Sequence, residues 1–268
     1  QSEGVLYFSA KVMEEFSEFQ LALEMYKHIL RDEATDAEMI QKIGGQFLSL
    51  GEVNLAHELF FEAYKAHPDK PEIRFCMIVV KLRLAKVPVE DYLIGKERLK
   101  KLLDGSGDKI EILSTLHSLV AKFAEDPDVQ GHLGDTYLRL GNREKAAKHL
   151  EKMYDLDSFS RVTTLKYASF LMQFDDPDRA RALLEKVSDT KKLSPEEICE
   201  LHWLYANYEF RKLRFRESID RLYKVLDRDP WNLSYLLLHI RSLSELAKVT
   251  GDVVDLESRR SRAVGRLP

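Results

Sequence analysis

The sequence predicts an all-α chain built as a stack of antiparallel helix pairs, and three observations predict it. Helix-forming Leu, Ala, Glu, Lys and Arg dominate, with only 12 Gly and 8 Pro to interrupt them. Apolar residues recur at i, i+3, i+4 and i+7 along most of the chain. Equivalent positions return at a fixed interval: Ala10 to Gly44, Gly134 to Ala168 and Ala206 to Ile240 are each 34 residues. A period of that length with two helices per unit marks a solenoid, in which each pair covers the apolar face its neighbour leaves open.

The first unit, 3–36, places Leu6, Ala10 and Met13 on one face of a first helix and Ala22, Tyr26 and Ile29 on one face of a second. The second, 37–70, is the cleanest, with Ile40, Ile43, Gly44, Phe47, Gly51, Ala56, Phe60, Ala63 and Pro68. Small residues stand where helices must approach closely: Gly44, Gly134 and Ala168 on first helices, Ala56, Ala146 and Ala180 on second ones. Phe47, Tyr137, Phe60, Leu150 and Leu184 fill the space between them. Gly51 and Gly141 end first helices, where a left-handed conformation costs glycine least. Pro68 and Pro230 stand where second helices have stopped.

The stretch 71–126 breaks the period. Three helices, about 71–86, 90–104 and 109–124, fit between Pro68 and Pro127, separated by Pro88 and by Gly105-Ser106-Gly107. Three is an odd number, so either one helix is inserted or the repeat changes phase. Residues such as Leu82, Tyr92, Leu99, Leu116 and Phe123 are too apolar for a linker. Units follow at 127–160, 161–194 and 195–232. Ala168 and Ala206 are 38 residues apart, and the excess is placed in Ser188–Pro195, where Ser194 is set to cap a helix opening with Pro195. A terminal pair at 233–266 closes the chain. Its second helix, about 252–266, carries Arg259, Arg260, Arg262 and Arg266, as the wet outer face of a capping helix should.

The reference unit Gln130–Tyr154, with Leu133, Gly134, Tyr137, Gly141, Ala146 and Leu150, and the second unit together resemble the tetratricopeptide repeat family. Ile40 stands where that family has tryptophan. The resemblance extends over roughly three quarters of the chain. It implies a right-handed superhelical α-solenoid of about six to seven repeats, a single solenoid over 1–268, whose first helices line a concave groove.

Composition limits the function. A net charge of −4 argues against nucleic acid as a partner, because that affinity rests on clustered positive charge. The longest apolar runs, Phe75–Val80 and Tyr235–Ile240, are six residues each, against about 20 for a transmembrane helix. Cys76 and Cys199 read as separate free thiols. With no leading signal peptide they lean towards a cytoplasmic location. The first residue is Gln, so the chain reads as a piece of a longer or processed protein.

The eight histidines form no His-Glu-x-x-His, and there is no Cys-x-x-Cys. Gly44-Gly45 falls inside a helix and not in a phosphate loop. Carboxylate pairs such as Glu14-Glu15, Asp175-Asp176 and Glu196-Glu197 fall on solvated faces or helix starts. No catalytic residue, metal site or cofactor is expected, and the chain reads as a non-enzymatic scaffold.

What remains is surface. Carried over by repeat position from the resemblance, the N-terminal groove shows Tyr7, Lys11, Glu38, Gln41, Gly45 and Leu48. The middle shows Asp128, Asp135, Leu138, Arg139, Leu165, Ser169 and Met172. The C-terminal part shows Trp203, Asn207, Phe210, Arg211, Leu237 and Arg241. This last cluster mixes large apolar residues with Asn and Arg, a composition enriched at binding hot spots. With Leu165 and Met172 it forms the expected partner-binding set. The competing reading makes Trp203 and Phe210 packing residues, because a one-residue shift in the register of this unit turns them onto its packing face.

The chaperone-tail clamp known in that family is excluded, since its positions here carry Asp135, Gly45, Gly131 and Gln41. The expected partner is a protein or peptide within a larger assembly, with self-association as a further possibility. The alternative is a regulatory or docking arm of an enzyme whose catalytic domain lies elsewhere.

Overall fold

Acidic, amide and hydroxyl caps start the helices, and one recurring turn stops many of them. Asp126 accepts hydrogen bonds from the amides of Asp128 and Val129, and Asp176 from those of Asp178 and Arg179. Ser194 and Glu197 form a reciprocal capping box ahead of Pro195. At the other end, Ser17, Gly51, Lys86, Gly141 and Leu213 all adopt positive φ. Each time the next residue's amide donates to a carbonyl five residues back, as in Glu52 to Phe47 and Asn142 to Tyr137, both 2.9 Å.

The computed structural model describes residues 2–30, 37–68, 70–105, 108–174, 176–189 and 193–250. Among them fourteen helices follow one another without a strand. They are α1 Ser2–Glu15, α2 Phe19–Leu30, α3 Ala37–Ser49, α4 Val53–Ala66, α5 Pro71–Leu84, α6 Val89–Asp104 and α7 Lys109–Lys122. Then come α8 Pro127–Arg139, α9 Arg143–Leu156, α10 Arg161–Phe174, α11 Pro177–Ser188, α12 Pro195–Arg211, α13 Phe215–Leu226 and α14 Leu233–Thr250. The expected Arg-rich helix at 252–266 lies outside the described residues. The helices gather into two compact units, Gln1–Arg161 and Val162–Pro268.

In the first unit α1 packs on α2, α3 on α4, and α8 on α9, while α2–α4 and α3–α5 contacts stack one pair on the next. The core runs from Ala10, Ala22 and Tyr26 through Ile40, Phe47 and Phe60 to Ile73 and Val80. Pair packing relies on missing side chains. A Cβ added to Gly44 would stand 2.0 Å from Phe60 Cζ, and one on Gly134 would stand 2.5 Å from Leu150 Cγ. Both contacts span 16 residues, and the buried pairs Ala168/Leu184 and Ala206/Leu222 keep the same spacing.

The left-handed ends also identify the irregular stretch. Lys86 follows Gly51 by 35 residues, so α5 ends as the first helix of a unit. The next first helix, α8, begins 56 residues after α5 does, 22 more than the regular period. The region is therefore a three-helix unit with the register restored after it. Within it α6 touches α5 only lightly and packs on α7, where Gly95 allows Leu119 close approach.

A buried ionic network ties this unit to its neighbour. Asp126 is fully buried and accepts from Tyr92 Oη at 3.1 Å and Lys96 Nζ at 2.8 Å. Asp128 receives Lys96 at 3.3 Å and Arg74 at 2.6 Å, and Arg74 also reaches Asp157 at 3.0 Å. Burial pushes the Asp128 carboxyl up, but Arg74 and Lys96 outweigh it and hold it below the usual range. Burial likewise opposes the charge on Lys96, and Asp126 and Asp128 overcome it and raise its pKa.

Candidate functional site

The second unit holds the residues expected to meet a partner. On α12 the 3.6-residue turn sets Trp203, Asn207, Phe210 and Arg211 along one side; α14 does the same for Leu237 and Arg241. α12 packs on α13 and, more lightly, on α14. Where the other units have Ala on the second helix, α13 has the fully buried Ser218. Its hydroxyl donates to Ala206 O at 2.9 Å and lies 3.1 Å from the Ser242 hydroxyl of α14.

The structure separates the expected residues into three groups. Leu165 and Met172 are each 1% exposed, so the contact role expected of them is corrected. On α10, Thr163, Thr164, Leu165, Tyr167, Ala168, Phe170, Leu171 and Met172 are all buried. A helix buried around so much of its circumference has no free face on that side.

Trp203 and Phe210 form the second group. Both are half-buried against the core of Ala206, Leu222, Val225 and Leu238, as the packing alternative has it. The Trp203 ring lies 6.3 Å from Tyr235, and Phe210 meets Phe215 edge-on at 5.5 Å. The third group faces outward. Arg211 donates to Gln173 O at 3.0 Å, Arg241 lies over the Phe210 ring at 5.2 Å, and Leu237 is exposed. Asn207 donates to Trp203 O of its own helix at 2.8 Å.

A cavity of about 630 Å³ opens beside Trp203, bounded by Pro195, Cys199, Glu200, Arg228, Asn232 and Tyr235. Burial, with Glu197 nearby, raises the pKa of Glu200. On the same helix His202 is depressed to about 4 by burial and by Arg221, Lys224 and Arg228. Arg221 donates to its Nδ1 at 3.2 Å, which fits a neutral ring. Among the described residues no group of His, Cys, Asp and Glu is arranged to hold a metal ion, and no helix is long and apolar enough to cross a membrane.

Two residues missed at the sequence level, Leu233 and Ile240, lie on α14 beside the expected Leu237. Leu233, Leu237 and Ile240 are 69%, 53% and 56% exposed at i, i+4 and i+7, and Trp231 just before them is 63% exposed. A signal existed in the run Tyr235–Ile240. On a helix so many consecutive apolar residues cannot all face one core, so some must face out.

No protein-family model and no curated protein matches the chain. Solved structures do resemble it. A tetratricopeptide protein of Thermus thermophilus, TTC0263, is 20% identical with a TM-score of 0.40, over 79% of this chain and 99% of that one. PilF of Pseudomonas aeruginosa is 16% identical with a TM-score of 0.45, over 79% and 99%. YrrB, described as a tetratricopeptide protein with an unusual peptide-binding site, is 14% identical with a TM-score of 0.40, over 79% and 95%. At such identities the likeness is one of fold, and the repeat is carried by the chain's own packing. The 16-residue contact spacing and the recurring left-handed helix ends show an all-α fold of repeated helix pairs.

Proposed function

We propose that this chain is a non-enzymatic interaction scaffold that takes a helical segment of a partner protein against the α12–α14 side of its C-terminal unit. The observation that carries this reading is the exposed stripe Leu233, Leu237 and Ile240 on α14. Three large apolar residues on successive turns form the surface that an amphipathic helix covers. Arg241, next to Ile240 on α14 and over the Phe210 ring, supplies a positive edge that favours an acidic edge on the partner. Trp203 and Phe210 support this side from behind, holding α12 against α13 and α14.

The test is affinity capture with the wild-type chain and with a Leu237→Asp/Ile240→Asp variant. Both replaced residues are exposed, so helicity by circular dichroism should stay unchanged while partner capture falls roughly tenfold or more. Equal capture by both proteins would remove the stripe from the site. Light scattering over a concentration series covers the remaining case: a wild-type dimer that the variant converts to monomer would assign the stripe to self-association.

A further inference from the structure

The first unit contains a cavity of about 320 Å³ that plays no part in the reading above. Its walls come from α4, α5, Glu125 and Pro127 at the entrance to α8 and residues 155–159 at the exit from α9; no residue of α6 or α7 lines it. This is the place where the repeat is interrupted. As a first helix, α5 would have a second helix laid closely along it in a regular unit. Here α6 turns away to α7, and a slot stays open beside α5.

Unpartnered donors distinguish this slot from a packing fault. Tyr64 is 6% exposed, and its hydroxyl, shut from water, has no hydrogen-bond partner among the described residues. The Nε–H of Arg74 is in the same condition, although Nη2 of that side chain pairs with Asp128 and Asp157. Leaving such a group unpaired weakens the folded state. Both groups donate, so what satisfies them is an acceptor oxygen.

Around these donors the wall is apolar. Phe159 leaves 48% of its surface open and stands edge-on to Phe61 and Tyr64, each at 6.4 Å. Lys81, Glu125 and Asp155 form a rim of both signs. A lone anion would meet the carboxylates of Glu125, Asp155 and Asp157, and a lone cation would meet Lys81 and Arg74; a neutral peptide segment meets neither penalty. The volume lies at the small end of the range for ligand pockets, about 300–1,000 Å³. It suits one large side chain with its own backbone.

We propose that this cavity is an anchoring pocket for a single bulky apolar side chain, aromatic or long aliphatic, of a partner peptide, whose adjoining main-chain carbonyl accepts from Tyr64 and Arg74. The probe is a random peptide display library panned on the full chain, with selected peptides measured by fluorescence anisotropy. They should share one bulky apolar residue whose replacement by alanine abolishes binding.

Leu156→Trp, which fills the pocket, and Phe159→Ala, which removes an exposed wall, should each weaken binding roughly tenfold. Tyr64→Phe should bind several-fold more weakly while unfolding at no lower urea concentration than the wild type, a combination that a purely structural hydroxyl does not give. Leu237→Asp, in the other unit, should bind these peptides as the wild type does. The proposal fails if the library yields no binder, if the Leu156, Phe159 and Tyr64 variants bind as the wild type does, or if only Leu237→Asp loses affinity. That last outcome would leave the α14 stripe standing as the chain's one binding face.

Discussion

Leu213 ends α12 with φ of +61°, in the place that Gly51 and Gly141 take in their units, and it is 74% exposed. A leucine there bears the left-handed strain with little packing in return. Leu213→Gly should therefore stabilise the chain by about 0.5–1 kcal/mol despite glycine's greater freedom when unfolded, read as a higher urea midpoint at unchanged slope. His202 sets a pH dependence on the same helix. Its folded pKa of about 4 lies below the ordinary 6.5, so as pH falls the unfolded chain takes up the proton first. The stabilisation from the neutral ring is complete above pH 6.5 and is lost as pH falls towards 4. Solvent screening of this half-buried ring limits the loss to about 1–2 kcal/mol. Burial also depresses His57, His149 and His239, which adds to the same slope. His202→Gln should reduce the slope between about pH 6.5 and 4 by one proton, measured by urea unfolding at several pH values.

Two adjacent glycines show how far a helix face can be read in advance. The period places Gly44 at the close contact and Gly45 on the outside. A Cβ on Gly44 would collide with the Phe60 ring, whereas one on Gly45 has nothing within 4 Å. Gly44→Ala should lower stability by about 1–3 kcal/mol and Gly45→Ala should raise it by about 0.5–1 kcal/mol; thermal melts followed by circular dichroism give both signs. Helix starts, glycine ends and the Ser194 cap were legible for the same reason, since each is local chemistry. Which side of α12 carries Trp203 and Phe210 was not. The longer 38-residue interval before Ala206 loosens the register by a residue, and one residue turns a helix face by about 100°. Leu165 and Met172 were misplaced for a different reason: repeat position gives the side of a helix but not whether that side is covered.

At the scale of the molecule, a repeat reads from its sequence as long as it repeats. The three helices of 71–126 can be seen in their apolar patterns, but their relation to the next unit rests on Arg74, Tyr92, Lys96, Asp126, Asp128 and Asp157, which are far apart in sequence and carry no period. Asp126 could be recognised as a cap before Pro127; nothing local announces that it also holds Lys96 and Tyr92. Asp126→Ala would leave the partly buried Lys96 with Asp128 alone, orphan the Tyr92 hydroxyl and remove the α8 cap; it should cost roughly 3 kcal/mol, read by urea unfolding, whereas the exposed cap Asp176 should cost about 1 kcal/mol when changed to alanine. The comparison bears on how such a chain can change over time. A standard repeat can be gained or lost as a cassette, because its neighbours ask of it only a matching apolar face. The unit beginning at Asp126 asks for more: it carries a buried carboxylate that Lys96 of the extra helix α6 neutralises. The irregular segment is thus no passenger among interchangeable parts, and the two stretches can be inherited only together.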